Sequence, residues 1–130
     1  MEPIGAKKMN RVYEFDYQGK KMFCLDLSDM NVGEKEEFKK LVVDAKQQIR
    51  LKPAKSALII TNVTNTGFDT EIAGIIKEYA QHNTPYVKAS AVVGINGLGK
   101  IILNAIKILT KREFHLADTL KQAQDWLVKQ

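Results

Sequence analysis

Ala57-Leu-Ile-Ile-Thr-Asn-Val63 is a short, nearly all-apolar run that opens soon after Pro53 and closes on the polar residues Thr64, Asn65 and Thr66. A run of this kind becomes a central strand buried on both faces. The pattern on either side of it is helical. Upstream, Phe38, Leu41, Val42, Ala45 and Ile49 recur at helical spacing, with lysines and glutamates on the other face. Downstream, Ile72, Ile75, Ile76, Tyr79 and Ala80 form a second stripe, and Asp69 stands where an N-cap belongs.

Further out, the same punctuation repeats. In residues 11–17, Tyr13, Phe15 and Tyr17 alternate with Val12, Glu14 and Asp16, which is the pattern of a half-buried strand. Gln18-Gly19 supplies a tight turn into a more continuously apolar strand over residues 20–27, and the two form an antiparallel hairpin. Towards the C-terminus, Thr84-Pro85 breaks the chain before a strand over 87–95. A glycine-rich segment, 94–99, leads into a third helix ending near Thr110. A short fifth strand is expected over 113–116, and a last helix over 118–128 with Leu120, Ala123 and Leu127 inward. The order β-β-α-β-α-β-α-β-α predicts an α/β domain: a five-stranded, mixed, mostly parallel sheet with four helices. Right-handed crossovers make strands two to five parallel, with the first antiparallel to the second. Residues 1–10 read as a flexible lead-in and 11–130 as one domain, without internal repeats.

Composition narrows the function classes. The 130 residues, 45% hydrophobic, suffice for one core. No apolar run approaches the length of a membrane span, and the opening residues lack the apolar region of a secretory signal, so a cytoplasmic protein is expected. The single cysteine, Cys24, sits in an apolar run and fits a reducing compartment. The net charge of +5 is mostly lysine scattered among acidic residues, and Arg11, Arg50 and Arg112 are far apart. Nucleic-acid surfaces cluster arginine and aromatic side chains, so nucleic acid is not the expected partner.

In its order of elements the chain resembles the STAS superfamily, and within it the SpoIIAA-like proteins. Three stretches carry the likeness: Ala57-Leu-Ile-Ile-Thr-Asn-Val63 leading through Phe68-Asp69-Thr70 into a helix; Ala89-Ser-Ala-Val-Val-Gly-Ile-Asn-Gly-Leu98 leading into the third helix; and the closing Asp118-Thr-Leu-Lys-Gln-Ala-Gln-Asp-Trp-Leu127. The resemblance implies a non-enzymatic module. Some such domains bind a protein partner and are switched by phosphorylation; others hold apolar or lipid ligands. In the regulators an acidic residue and a phosphorylatable serine open the helix after the third strand. Asp69-Thr70 falls at that place, which makes Thr70 the implied acceptor. Threonine replaces serine here, and Glu71 would repel a phosphate that the helix N-terminus attracts. More simply, Asp69 is an N-cap and Thr70 an ordinary first-turn residue.

Ligands of open parallel sheets sit outside the carboxyl ends of the strands, and those ends are polar here: Ser28 and Asp29, then Asn62, Thr64, Asn65 and Thr66, then Asn96 and Gly97. With Asp69, Gly99 and Lys100 they form the candidate polar ligand site, although loops are polar in any case. Gly94-Ile-Asn-Gly-Leu-Gly-Lys100 has the spacing of a phosphate-binding loop as far as its lysine, but Ile101 replaces the hydroxyl residue that holds magnesium. Nucleotide hydrolysis is thereby disfavoured. Binding of a phosphate or nucleotide at the loop stays open as the alternative, beside the plainer reading that the glycines serve a tight turn and close packing. Two histidines, His82 and His115, and one cysteine do not make a zinc site, and neither histidine has a nearby nucleophile in sequence. Asp26 interrupts an apolar strand, as a tuned acid or as a strand-end residue bonding a neighbouring loop. No catalytic set, metal or cofactor is expected.

The third helix carries an apolar surplus. Leu98, Ile101, Ile102, Ala105, Ile106, Ile108 and Leu109 fall within an arc of about 160 degrees, Lys100, Asn104, Lys107 and Lys111 lie opposite, and Leu103 stands outside the stripe. Such a helix lies on an anionic membrane, covers a lipid pocket, packs on a second copy, or is a core helix with a generous buried face. A pocket would be lined by Leu98, Ile102, Ile106 and Leu109; a homodimer would bury Leu103.

Overall fold

The computed structural model describes residues 10–130, so the expected lead-in, apart from Asn10, lies outside the described residues. The strands are β1 (Val12–Tyr17), β2 (Lys20–Asp26), β3 (Ala57–Asn62), β4 (Val87–Val93) and β5 (His115–Ala117). The helices are α1 (Lys35–Ile49), α2 (Thr70–Asn83), α3 (Gly97–Thr110) and α4 (Leu120–Leu127). β1 and β2 are antiparallel, and β2 to β5 are parallel, as the crossover argument requires. β5 lies two residues later than expected at its start, and β4 ends two residues earlier. Asp69, Asn96 and Thr119 each cap a helix by accepting the amide three residues on.

Along the sheet the strands follow sequence order, β1-β2-β3-β4-β5. Every crossover therefore advances in the same direction, and right-handedness puts α1, α2 and α3 on one face. α4, which follows the last strand, closes the other. The run 57–63 divides between them. Ile59 and Val63 face the three-helix layer with Phe23, Leu25, Phe38 and Ile72, whereas Leu58 and Ile60 face α4 with Met22, Cys24, Ala123 and Leu127. Burial on both faces explains why no alternation shows in that stretch. Tyr13, Phe15 and Tyr17 cover the far end of the α4 face, where Tyr17 donates its hydroxyl to Asp125.

The placement of Leu103 corrects the sequence reading. Leu103 and Ile106 are buried against the core together with Gly99, while Leu98, Ile101, Ile108 and Leu109 are exposed. The apolar arc is centred near Leu98, on the exposed face, and the buried stripe lies at its edge. A Cβ on Gly99 would stand 2.6 Å from Ile95 Cγ1, so the first turn of α3 sits close on that side chain, and Leu103 and Ile106 follow one and two turns on.

Candidate functional site

The polar carboxyl ends of the strands bond mainly to themselves. Asp26 accepts from the Ser28 amide and hydroxyl at 2.9 and 2.6 Å, and Asn62 accepts from the Thr64 amide and hydroxyl at 3.1 and 2.7 Å. Asn65 donates to Asp29, and the buried Thr66 hydroxyl donates to the Leu27 carbonyl. Because the strand order never reverses, no switch-point crevice opens above them. In the glycine loop, Gly94 has φ +72, and a Cβ on it would run into the Thr64 side chain. The Gly99 amide donates to Asn96 Oδ1 at 2.8 Å, so the cap occupies a donor that an anion would use. Gly97 and Lys100 are exposed in the first turn of α3. Asp69 and Thr70 stand apart from this loop, at the start of α2.

A different space opens inside the three-helix layer. A cavity of about 60 Å³ lies between the sheet and helices α2 and α3, walled by Ile59, Val63, Ile76, Val92, Ile102 and Leu103. Ile106 also lines it; Leu98 and Leu109 do not, since both point outward. α3 packs laterally on α2, and its Leu103 and Ile106 join the core cluster with Ile59 and Val92 beside this cavity.

At one end the lining turns polar, with Tyr79, Asn83, Ser90 and Arg112. These residues come from α2, β4 and the segment before β5, and they gather towards the amino ends of the parallel strands. Arg112 donates to the Ala80 carbonyl at 2.9 Å, to the Ser90 hydroxyl at 2.6 Å and to the Thr84 hydroxyl at 3.4 Å, and stacks over Phe114 at 4.7 Å. It pairs with no carboxylate among the described residues. Burial pushes its pKa down to about 10, partly offset by Tyr79. Tyr79 is buried, and its hydroxyl, although close to Asn83, closes no hydrogen bond among the described residues. Desolvation holds this phenol well above its ordinary pKa, so it stays a proton donor. Sequence reasoning missed the group. Tyr79 reads as an ordinary stripe residue and Arg112 as one of three scattered arginines; the signal in plain view is Ser90, a hydroxyl within the apolar stretch 89–93 of β4.

Thr70 is exposed at the first position of α2. Lys35 holds Asp69 at 2.6 Å and Glu71 at 3.2 Å, and Lys39 holds Glu71 at 2.8 Å. The Ile72 amide, then Lys35, lowers the Asp69 pKa; Lys39, then Lys35, lowers that of Glu71. His115 stacks on Trp126 at 4.4 Å, and His82 contacts Asn83. Cys24 is buried, with its thiol pushed up to about 11 by desolvation. Among the described residues no group of three or more His, Cys, Asp or Glu side chains is arranged to hold a metal, and no helix is long and apolar enough to cross a membrane.

A parallel sheet in sequence order, an antiparallel first strand, three helices on one face and a terminal helix on the other make this a SpoIIAA-like α/β fold, as the sequence resemblance implied. A crystal structure from Shewanella loihica, described as an uncharacterized protein from the DUF3478 family with a SpoIIAA-like fold, is similar with a TM-score of 0.63, covering 89% of this chain and 91% of that one at 16% identity. No family model matches the sequence, and no curated protein matches it.

Proposed function

We propose that this chain is a non-enzymatic, STAS-like binding module whose ligand is an apolar small molecule held between α3 and the sheet. The observation that carries the reading is the cavity itself: a mainly apolar space between the sheet and helices α2 and α3. Ligand pockets run to roughly 300 Å³ and more, so occupancy displaces α3 outward. The exposed Leu98, Ile101, Ile108 and Leu109, flanked by Lys100, Lys107 and Lys111, then give α3 a second apolar contact, with a lipid surface or a protein partner. The test is native mass spectrometry of the purified chain, followed by titration of the delipidated protein with an environment-sensitive apolar dye. Saturable binding that Val92→Phe removes by filling the void is expected. Dye binding unchanged by Val92→Phe defeats the reading.

A second reading, a switch at Thr70, is favoured by one observation. Lys35 and Lys39 already neutralise the carboxylates of Asp69 and Glu71, which reduces the repulsion a phosphate would meet at this helix N-terminus. Phosphopeptide mapping of the chain from its own host should find phosphate at Thr70 and none in Thr70→Ala; an unmodified Thr70 across growth conditions removes this reading.

A further inference from the structure

The polar end of the cavity selects among apolar ligands. Tyr79 offers a proton with no acceptor among the described residues. Arg112 is a largely buried cation with no carboxylate partner among them, and its three bonds leave part of the guanidinium fork unused. The Ser90 hydroxyl accepts from Arg112, so its own proton is also available. Among the described residues no Asp or Glu lines the cavity. Buried donors beside a part-buried cation are costly when left alone, and each lacks the same thing: an acceptor carrying negative charge.

Resting on the apolar-ligand reading above, we propose that the ligand is an amphiphile with one carboxylate head, seated on Arg112, Tyr79 and Ser90, and with its tail under α3. A carboxylate fits better than a phosphate. Among the described residues Arg112 is the one cation lining the cavity, which matches a single charge, and a planar fork matches two coplanar oxygens. This head position lies towards the amino ends of the strands, away from the glycine loop.

Binding of saturated fatty acids from hexanoate to myristate, each compared with its methyl ester by isothermal titration at concentrations below micelle formation, tests the assignment. In the native chain the best acid should bind at least roughly tenfold tighter than its ester. Arg112→Met should erase that difference while leaving ester binding in place. Tyr79→Phe removes only an unpartnered hydroxyl, so it should leave Tm unchanged or higher yet weaken acid binding several-fold. The preference should also vanish as pH falls through the carboxylate range, with the ester unaffected. Equal binding of acid and ester, or a preference that survives Arg112→Met, overturns the head assignment and leaves the apolar-ligand function standing. Failure of every acid and every ester to bind, together with no dye binding, overturns both.

Discussion

α1 and α3 are crossover helices of 15 and 14 residues on the same face of the same sheet, yet they are packed differently. α1 is the more polar, and it buries Phe38, Ala45 and Ile49 completely. α3 is far more apolar, but beyond Gly99 it buries only Leu103 and Ile106, leaves Ile101 and Ile108 at 68% and 79% exposure, and has a void beneath it. The apolar content of a helix sets how much surface it offers, not how much of it is buried. In this fold the exposed apolar surplus and the cavity occur at the same helix.

The contrast can be broken by truncation. Phe38→Ala should cost about 3–5 kcal/mol in denaturant unfolding, whereas Ile106→Ala should cost no more than about 2–3 kcal/mol, because α3 can settle into space that is already empty. Equal losses would mean that α3 is packed as tightly as α1. Enlargement sharpens the contrast in the opposite sense. Val42→Ile under α1 should destabilise by about 1–3 kcal/mol through overpacking, while Val92→Ile fills part of the cavity and should stabilise by up to about 0.8 kcal/mol. Smaller again is Ile108→Lys on the outer stripe, expected within about 0.5 kcal/mol of the native chain. A loss of several kcal/mol there would reveal a covered surface, such as a subunit contact.

The least effect concerns the seams between helices. α1 is clamped to α2 by Lys35 and Lys39 on Asp69 and Glu71, and by Lys46 on Glu78 at 2.5 Å; among the described residues no ion pair joins α2 to α3. The carboxyl pKa values are lowered on folding, so the clamp contributes fully above the ordinary values of 3.8 and 4.5 and is lost as pH falls through the lower folded ones. Acid should therefore raise amide exchange along the α1–α2 seam before the α2–α3 seam, and Lys35→Met should flatten that response. Simultaneous loosening of both seams would assign the acid sensitivity elsewhere.

Nearly the whole fold was legible from alternation, helical spacing and breakers, because each element announces itself within ten or fifteen residues. What those signals do not encode is rotation about an axis. Helical spacing puts Leu103 outside the stripe because the apolar arc of α3 is centred near Leu98, on the face that stays exposed, and nothing local marks its edge as the buried side. The polar end of the cavity is illegible in sequence for the same reason. The polar carboxyl ends read as a candidate site because their residues are close in sequence, and in the structure they bond mainly to one another. Tyr79, Ser90 and Arg112 lie on three separate elements, and only the right-handed crossovers bring them to one end of a cavity.

The lone thiol of Cys24 lies on β2 within the face closed by α4, across the sheet from the cavity. It has no role in the proposed site, and this makes it a built-in clock. Its alkylation by a small reagent requires the core to open, so the labelling half-life of the native chain reports the free energy of that opening without any engineered tag. A ligand that binds only the closed, folded state slows the clock by a factor of one plus the ratio of free ligand concentration to Kd, wherever on the molecule it binds. Candidate ligands can thus be ranked on the unmodified protein, by a residue that touches none of them.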